Sequence, residues 1–231
     1  VCMMITMLPL SAVTAFAAAT STVHEANDGE GIYRSAYKEN EDGETVTITE
    51  FLGPVDPANP GPYDIDIPEK LDGYTVTGLG KDSFSIDDLY SPLYEIHLNK
   101  IHSVTIPQSV TSIGNDAFGQ CHDLQSLTIK DAATSIGHRA FLGCTSLATI
   151  SLGENIKTIG ANALNSCFGL TSVTIPENVT TIRPGTFSYC KHLEYIMLPA
   201  GLTSFQDSLK GCPAECVIYY NNDKYAARHC F

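Results

Sequence analysis

The sequence predicts a repeat solenoid. Short parallel strands should stack along one face, short strands and 3₁₀ turns should lie behind them, and a β-hairpin should close the front. Three observations carry this prediction. Four apolar columns recur together every 23 residues: Val104, Leu127, Ile150, Val173 and Ile196; Ile113, Ile136, Ile159, Ile182 and Phe205; Phe118, Phe141, Leu164 and Phe187; and Cys121, Cys144, Cys167 and Cys190. Within each row the apolar pair flanks a single hydroxyl, as in Val173-Thr174-Ile175, which is the period of two of a strand with one buried face. A unit this short cannot bury its own apolar side, so the units must stack.

Val1 to Ala19 form an uncharged apolar run that ends in small residues. It has the character of a secretory h-region, with small-x-small cleavage signals at Ala15-Phe16-Ala17 and Ala17-Ala18-Ala19. We assign residues 1–19 to a signal peptide truncated at its start and leave them out of the fold. No integral membrane segment is expected once the leader is removed. Residues 20–63 form the cap, with Asp42-Gly43 between extended runs that end in Thr45-Val46-Thr47-Ile48-Thr49, the pattern of a hairpin turn.

The solenoid is expected over residues 64–220. Its first unit, Ile65-Asp66-Ile67-Pro68 followed by Val76, Leu79 and Phe84, is irregular, and the later ones are strict. Pro107, Pro176 and Pro199 remove a backbone donor and end their strands. A second extended piece ends in Ile-Gly at Gly114, Gly137 and Gly160, where glycine is expected to permit a turn at positive φ. A short turn around Ala117-Phe118 and its equivalents closes each unit. Residues 221–231 form a C-terminal cap in which Tyr225-Ala226-Ala227 reads as a short closing helix.

The rows resemble the BspA-type leucine-rich repeat family. The pattern is L-x-x-L-x-I-P-x-x-V-x-x-I-G-x-x-A-F-x-x-C, most complete from Leu170 through Cys190 and from Val104 through Cys121. The sequence departs from it at Leu164, at Arg183-Pro184 and in an insertion around Tyr90 to Lys100. The resemblance implies a leucine-rich repeat fold and a secreted or surface-associated bacterial protein that binds macromolecules, with host adhesion among its roles and no catalytic residues.

Composition narrows the function further. Thirteen basic residues against 26 acidic ones give a formal charge of −13, and residues 1–100 hold 17 of the acidic groups but only five of the basic. Nucleic acid is therefore excluded as a general partner. The seven histidines are scattered over different columns, and no cysteine pair has C-x-x-C spacing, so neither a metal site nor a cofactor is expected. The column cysteines read as buried thiols packed as small hydrophobes, and Cys216 with Cys230 is the candidate disulfide. No G-x-S-x-G turn or other catalytic constellation is present.

Binding should fall on the exposed strand face, at Thr128, Thr149, Ser151, Ser172, Thr174, Tyr195, Met197 and Tyr219. Small hydroxyls dominate the first rows, as good strand residues on a wet face do. Tyr195, Met197 and Tyr219 are large side chains of the kind enriched in interfaces, and packing under the C-terminal cap would account for them equally. The expected partner is a protein, with a host surface or the extracellular matrix as the source. The competing reading is a non-catalytic accessory or glycan-binding module of a larger secreted enzyme.

Overall fold

The computed structural model describes residues 24–27, 33–56, 58–59, 61–85, 100–205 and 207–220, together with the backbone of 223–229. The leader and Cys230 lie outside the described residues. The strands are β1 (His24–Asn27), β2 (Tyr33–Glu39), β3 (Thr45–Pro54), β4 (Tyr63–Asp66), β5 (Lys70–Leu71), β6 (Tyr74–Leu79), β7 (Ile101–Ile106), β8 (Ser112–Ile113) and β9 (Ser126–Ile129). They continue as β10 (Ser135–Ile136), β11 (Thr149–Ser151), β12 (Thr158–Ile159), β13 (Ser172–Thr174), β14 (Thr181–Ile182), β15 (Tyr195–Leu198), β16 (Ser204–Phe205), β17 (Val217–Tyr220) and β18 (Asp223–His229).

The cap is a hairpin extended by one strand, with β1 and β2 antiparallel and β2 and β3 antiparallel. Its turn is held by Asp42, whose carboxylate accepts from the Glu44 and Thr45 amides at 2.9 Å each, while Gly43 takes φ 66°. These bonds hold the Asp42 carboxyl below the usual carboxylate range, led by the one from the Thr45 hydroxyl. The cap does not sit apart from the repeats. β3 pairs in parallel with β6, which continues through β8, β10, β12, β14 and β16 as one ten-stranded sheet on the back of the solenoid.

Between β8 and β14 each register step of this back sheet joins residues 23 apart, as in Ser112↔Ser135↔Thr158 and Ile159↔Ile182. The strand face on the other side is divided. β4, β7, β9 and β11 form one four-stranded sheet, and β13, β15, β17 and β18 form another.

The core lies between the two faces. Phe84, Phe118 and Phe141 stack with ring centroids 4.7 and 5.4 Å apart and planes within 15° of parallel. Phe51 of the cap lies on Phe84 at 5.2 Å and starts this column. Leu164 ends the aromatic run without opening the core, since it is fully buried.

Three sequence expectations are corrected. Gly114, Gly137 and Gly160 do not supply the positive φ. That conformation falls two residues later, at Asp116, Arg139, Asn162 and Gly185, and again at Gln120, Gly143, Ser166 and Tyr189. The glycines are needed for close stacking instead: a Cβ at Gly114 would stand 2.5 Å from the Gly80 carbonyl carbon, one at Gly137 2.5 Å from that of Gly114, and one at Gly160 2.5 Å from that of Gly137. Where Arg183 replaces this glycine, the ladder between β12 and β14 shrinks to the single pair Ile159↔Ile182. The second correction is that Tyr225-Ala226-Ala227 belongs to a strand, β18, which runs antiparallel to β17 and covers the sheet edge by pairing. The third is the division of the strand face, whose parallel strands were expected to stack along one face and instead pair as two separate ladders.

Candidate interaction surface

The strands of the exposed face present their hydroxyls outward because the flanking apolar residues turn inward, and in two of them these are fully buried. Leu127 and Ile129 bracket Thr128, and Val173 and Ile175 bracket Thr174; all four apolar side chains are buried. Thr149, Ser151 and Thr174 are exposed, while Thr128 and Ser172 are half-buried. Register sets Thr149 beside Ser126 and Ser151 beside Thr128 in the first sheet. In the second sheet Ser172 lies beside Tyr195, and Thr174 beside Met197, which in turn adjoins Tyr219.

The eight candidate residues therefore fall into two groups. Thr128, Thr149 and Ser151 stand on the first sheet, and Ser172, Thr174, Tyr195, Met197 and Tyr219 on the second. Within the second group the side chains touch. The Tyr195 and Tyr219 rings meet edge to face at 6.0 Å, and the Thr174 hydroxyl lies 3.6 Å from the Met197 sulfur. Tyr195 is 38% exposed, one of three large apolar or aromatic side chains among the described residues that stand out into solvent.

Between the groups lies a cleft of about 650 Å³ that spans the interruption from β11 to β13. Ser151, Ser172, Thr174 and Met197 line it, together with Ile150 and Leu152. Those two are only half-buried, unlike their equivalents Leu127 and Ile129, so the row before the break exposes part of its apolar side. Glu154 and Glu177 also line the cleft, and the Asn178 amide donates across the break to the Glu154 carbonyl at 3.0 Å. Sequence reasoning missed Ile150, Leu152 and the two glutamates, because Ile150-Ser151-Leu152 carries the same apolar pattern as its neighbours.

The column cysteines are more than filler. Cys121, Cys144, Cys167 and Cys190 are fully buried, and each thiol donates to a carbonyl in an earlier unit: Phe84 at 3.1 Å, Phe118 at 3.2 Å, Phe141 at 3.3 Å and Leu164 at 3.3 Å. Burial pushes the Cys144 thiol up to about 12 and those of Cys121 and Cys167 well above their ordinary value. Cys216 is buried; its proposed partner Cys230 lies outside the described residues. Among the described residues no three His, Cys, Asp or Glu side chains gather as a metal would need, and no helix is long and apolar enough to cross a membrane.

Six copies of the BspA type leucine rich repeat region match residues 94–230. The chain belongs to this family. Several solved structures of leucine-rich repeat proteins are similar to this BspA-type chain. A leucine rich cell surface protein from Faecalibacterium prausnitzii is 28% identical with a TM-score of 0.66, the match covering 89% of this chain and 52% of that one. A leucine rich repeat protein from T. pallidum is 26% identical with a TM-score of 0.67, covering 81% of this chain and 79% of that one. One from Bacteroides ovatus is 25% identical with a TM-score of 0.62, covering 86% and 46%. The chain thus spans about half the length of the first and third of these relatives. No curated protein matches the sequence.

Proposed function

We propose that this BspA-type protein is an exported, non-catalytic binding module whose second strand sheet, with the adjoining cleft, holds a protein partner on a host surface or in the extracellular matrix. The observation that carries the reading is the change along the exposed ladder from small hydroxyls to the Tyr195, Met197 and Tyr219 cluster. Its two aromatic rings already pack against each other at 6.0 Å, so little side-chain freedom remains to be lost on binding. Large, partly exposed aromatic and Met side chains beside a cleft are the composition of an interface centre. The signal-like Val1–Ala19 run supports export, as does similarity to a protein described as a cell surface protein.

The test is capture of the purified protein on an array of extracellular-matrix proteins and, side by side, on a glycan array. Titration of the double variants Tyr195→Ser with Met197→Thr, and Thr128→Ala with Thr149→Ala on the first sheet away from the cleft, follows against whatever is captured. Loss of an interfacial anchor costs about 2 kcal/mol, roughly a thirtyfold weakening, so the first variant should bind about thirtyfold less tightly and the second like the parent. Weakening by the second variant alone moves recognition to the polar ladder. Glycan-only capture favours an accessory glycan-binding module.

A further inference from the structure

We propose that Cys190 and Cys212 are a dithiol that a hydroperoxide converts to a disulfide, a covalent staple at the C-terminal end of the cysteine column. The pair is set by backbone geometry. The Cys190 amide and the Cys212 thiol converge on the same acceptor, the Phe187 carbonyl oxygen, at 3.2 and 3.0 Å. Adjacent units of a parallel sheet repeat at about 4.8 Å, inside the Cα separation of roughly 4.4–6.8 Å that a disulfide spans.

Cys212 differs from the rest of the column by position. Cys121, Cys144, Cys167 and Cys190 are each covered by a following unit and have no exposed surface, whereas Cys212 occupies the last turn and is partly open to solvent. An oxidant therefore reaches this thiol first. The Cys190 thiol is held against the Leu164 carbonyl at 3.3 Å. Cys212, the partly exposed member, is thus the attacking thiol, reacting as its thiolate, and the buried Cys190 the resolving thiol.

The steps balance. The Cys212 thiolate attacks the outer oxygen of the hydroperoxide, the O–O bond breaks, and the products are a Cys212 sulfenic acid and an alkoxide that picks up a proton. The Cys190 sulfur then attacks the Cys212 sulfur, the S–O bond breaks, and hydroxide leaves as water with the Cys190 proton. Two thiols are oxidised by two electrons, and the peroxide is reduced to an alcohol and water.

The experiment treats the native full chain with hydrogen peroxide, blocks remaining thiols with N-ethylmaleimide under denaturing conditions, and maps the digest without reduction by tandem mass spectrometry. The expected product links Cys190 to Cys212 with the loss of two hydrogens, while Cys121, Cys144 and Cys167 carry maleimide. Cys212→Ala should abolish the link and leave Cys190 reduced; Cys190→Ala should let Cys212 go on to sulfinic acid. Native labelling by N-ethylmaleimide before any oxidation should be fastest at Cys212 among the five column thiols. Oxidation of Cys212 to sulfinic acid in the parent with Cys190 still reduced, a link from Cys212 to any other cysteine, or no oxidation of either residue would each overturn the proposal.

Discussion

The thiol of Cys144 donates to the carbonyl oxygen of Phe118 at 3.2 Å, and so ties one repeat unit to the turn of the unit before it. The same bond recurs from Cys121 to Phe84 and from Cys167 to Phe141. A column that composition alone marks as small and apolar therefore also gives the Phe118 and Phe141 carbonyls a second donor, beside the Cys121 and Cys144 amides at 3.4 Å each.

This column sets an alkaline limit on stability. Cys144 is pushed from 9.0 up to about 12 by burial, so between these values the unfolded chain releases a proton that the folded chain keeps. The folded state then binds more protons, and stability falls as pH rises. The melting temperature should hold up to about pH 9 and decline between pH 9 and 12. The double variant Cys144→Val with Cys167→Val should show a shallower decline over the same window.

Stacked glycines should tolerate no side chain. Gly137→Ala places a Cβ 2.5 Å from the Gly114 carbonyl carbon and 2.6 Å from the Asn115 nitrogen, both backbone atoms that cannot yield without parting the units. A cost of about 3 kcal/mol or more is expected, against about 1 kcal/mol for Gly43→Ala, which meets open space and carries only the strain of its positive φ. Urea denaturation of the two variants measures the difference; equal midpoints would remove close stacking as the reason for the glycine column.

Ile159 is 1% exposed and is paired in the back sheet with Ile136 on one side and Ile182 on the other. Ile159→Asp buries a carboxylate without a partner and should cost more than about 4 kcal/mol, enough to unfold a domain of ordinary stability. Ser151→Ala, on the exposed face, should change stability by no more than about 0.5 kcal/mol. Circular dichroism melts of both variants decide the matter.

Phe51 makes the hairpin cap part of the solenoid core. It is 2% exposed, stacks on Phe84 at 5.2 Å, and its amide donates to the Ser83 carbonyl at 2.7 Å. Phe51→Ala should destabilise the whole array by about 3–5 kcal/mol in a single cooperative transition. A separate early transition confined to the cap would show instead that the hairpin folds on its own.

The sequence by itself determined the repeat, the parallel stacking, the buried columns, the hairpin turn at Asp42-Gly43 and which side of each strand faces water. All of these follow from periodicity and local turn chemistry, which are properties of neighbouring residues or of identical positions in successive units. Tertiary structure alone decided where the strand face divides, because the gap between Ser151 and Ser172 depends on how one unit sits on the next. It also decided why the glycines are there: Gly137 is tied to its conformation by the backbone of Gly114, 23 residues away, and its own φ plays no part. The reach of Phe51 into the aromatic column and the strand pairing of Asp223–His229 arise in the same way. In each case packing between distant segments outweighed local preference, as with the weak helical character of Tyr225-Ala226-Ala227, which gave way to the open edge of β17.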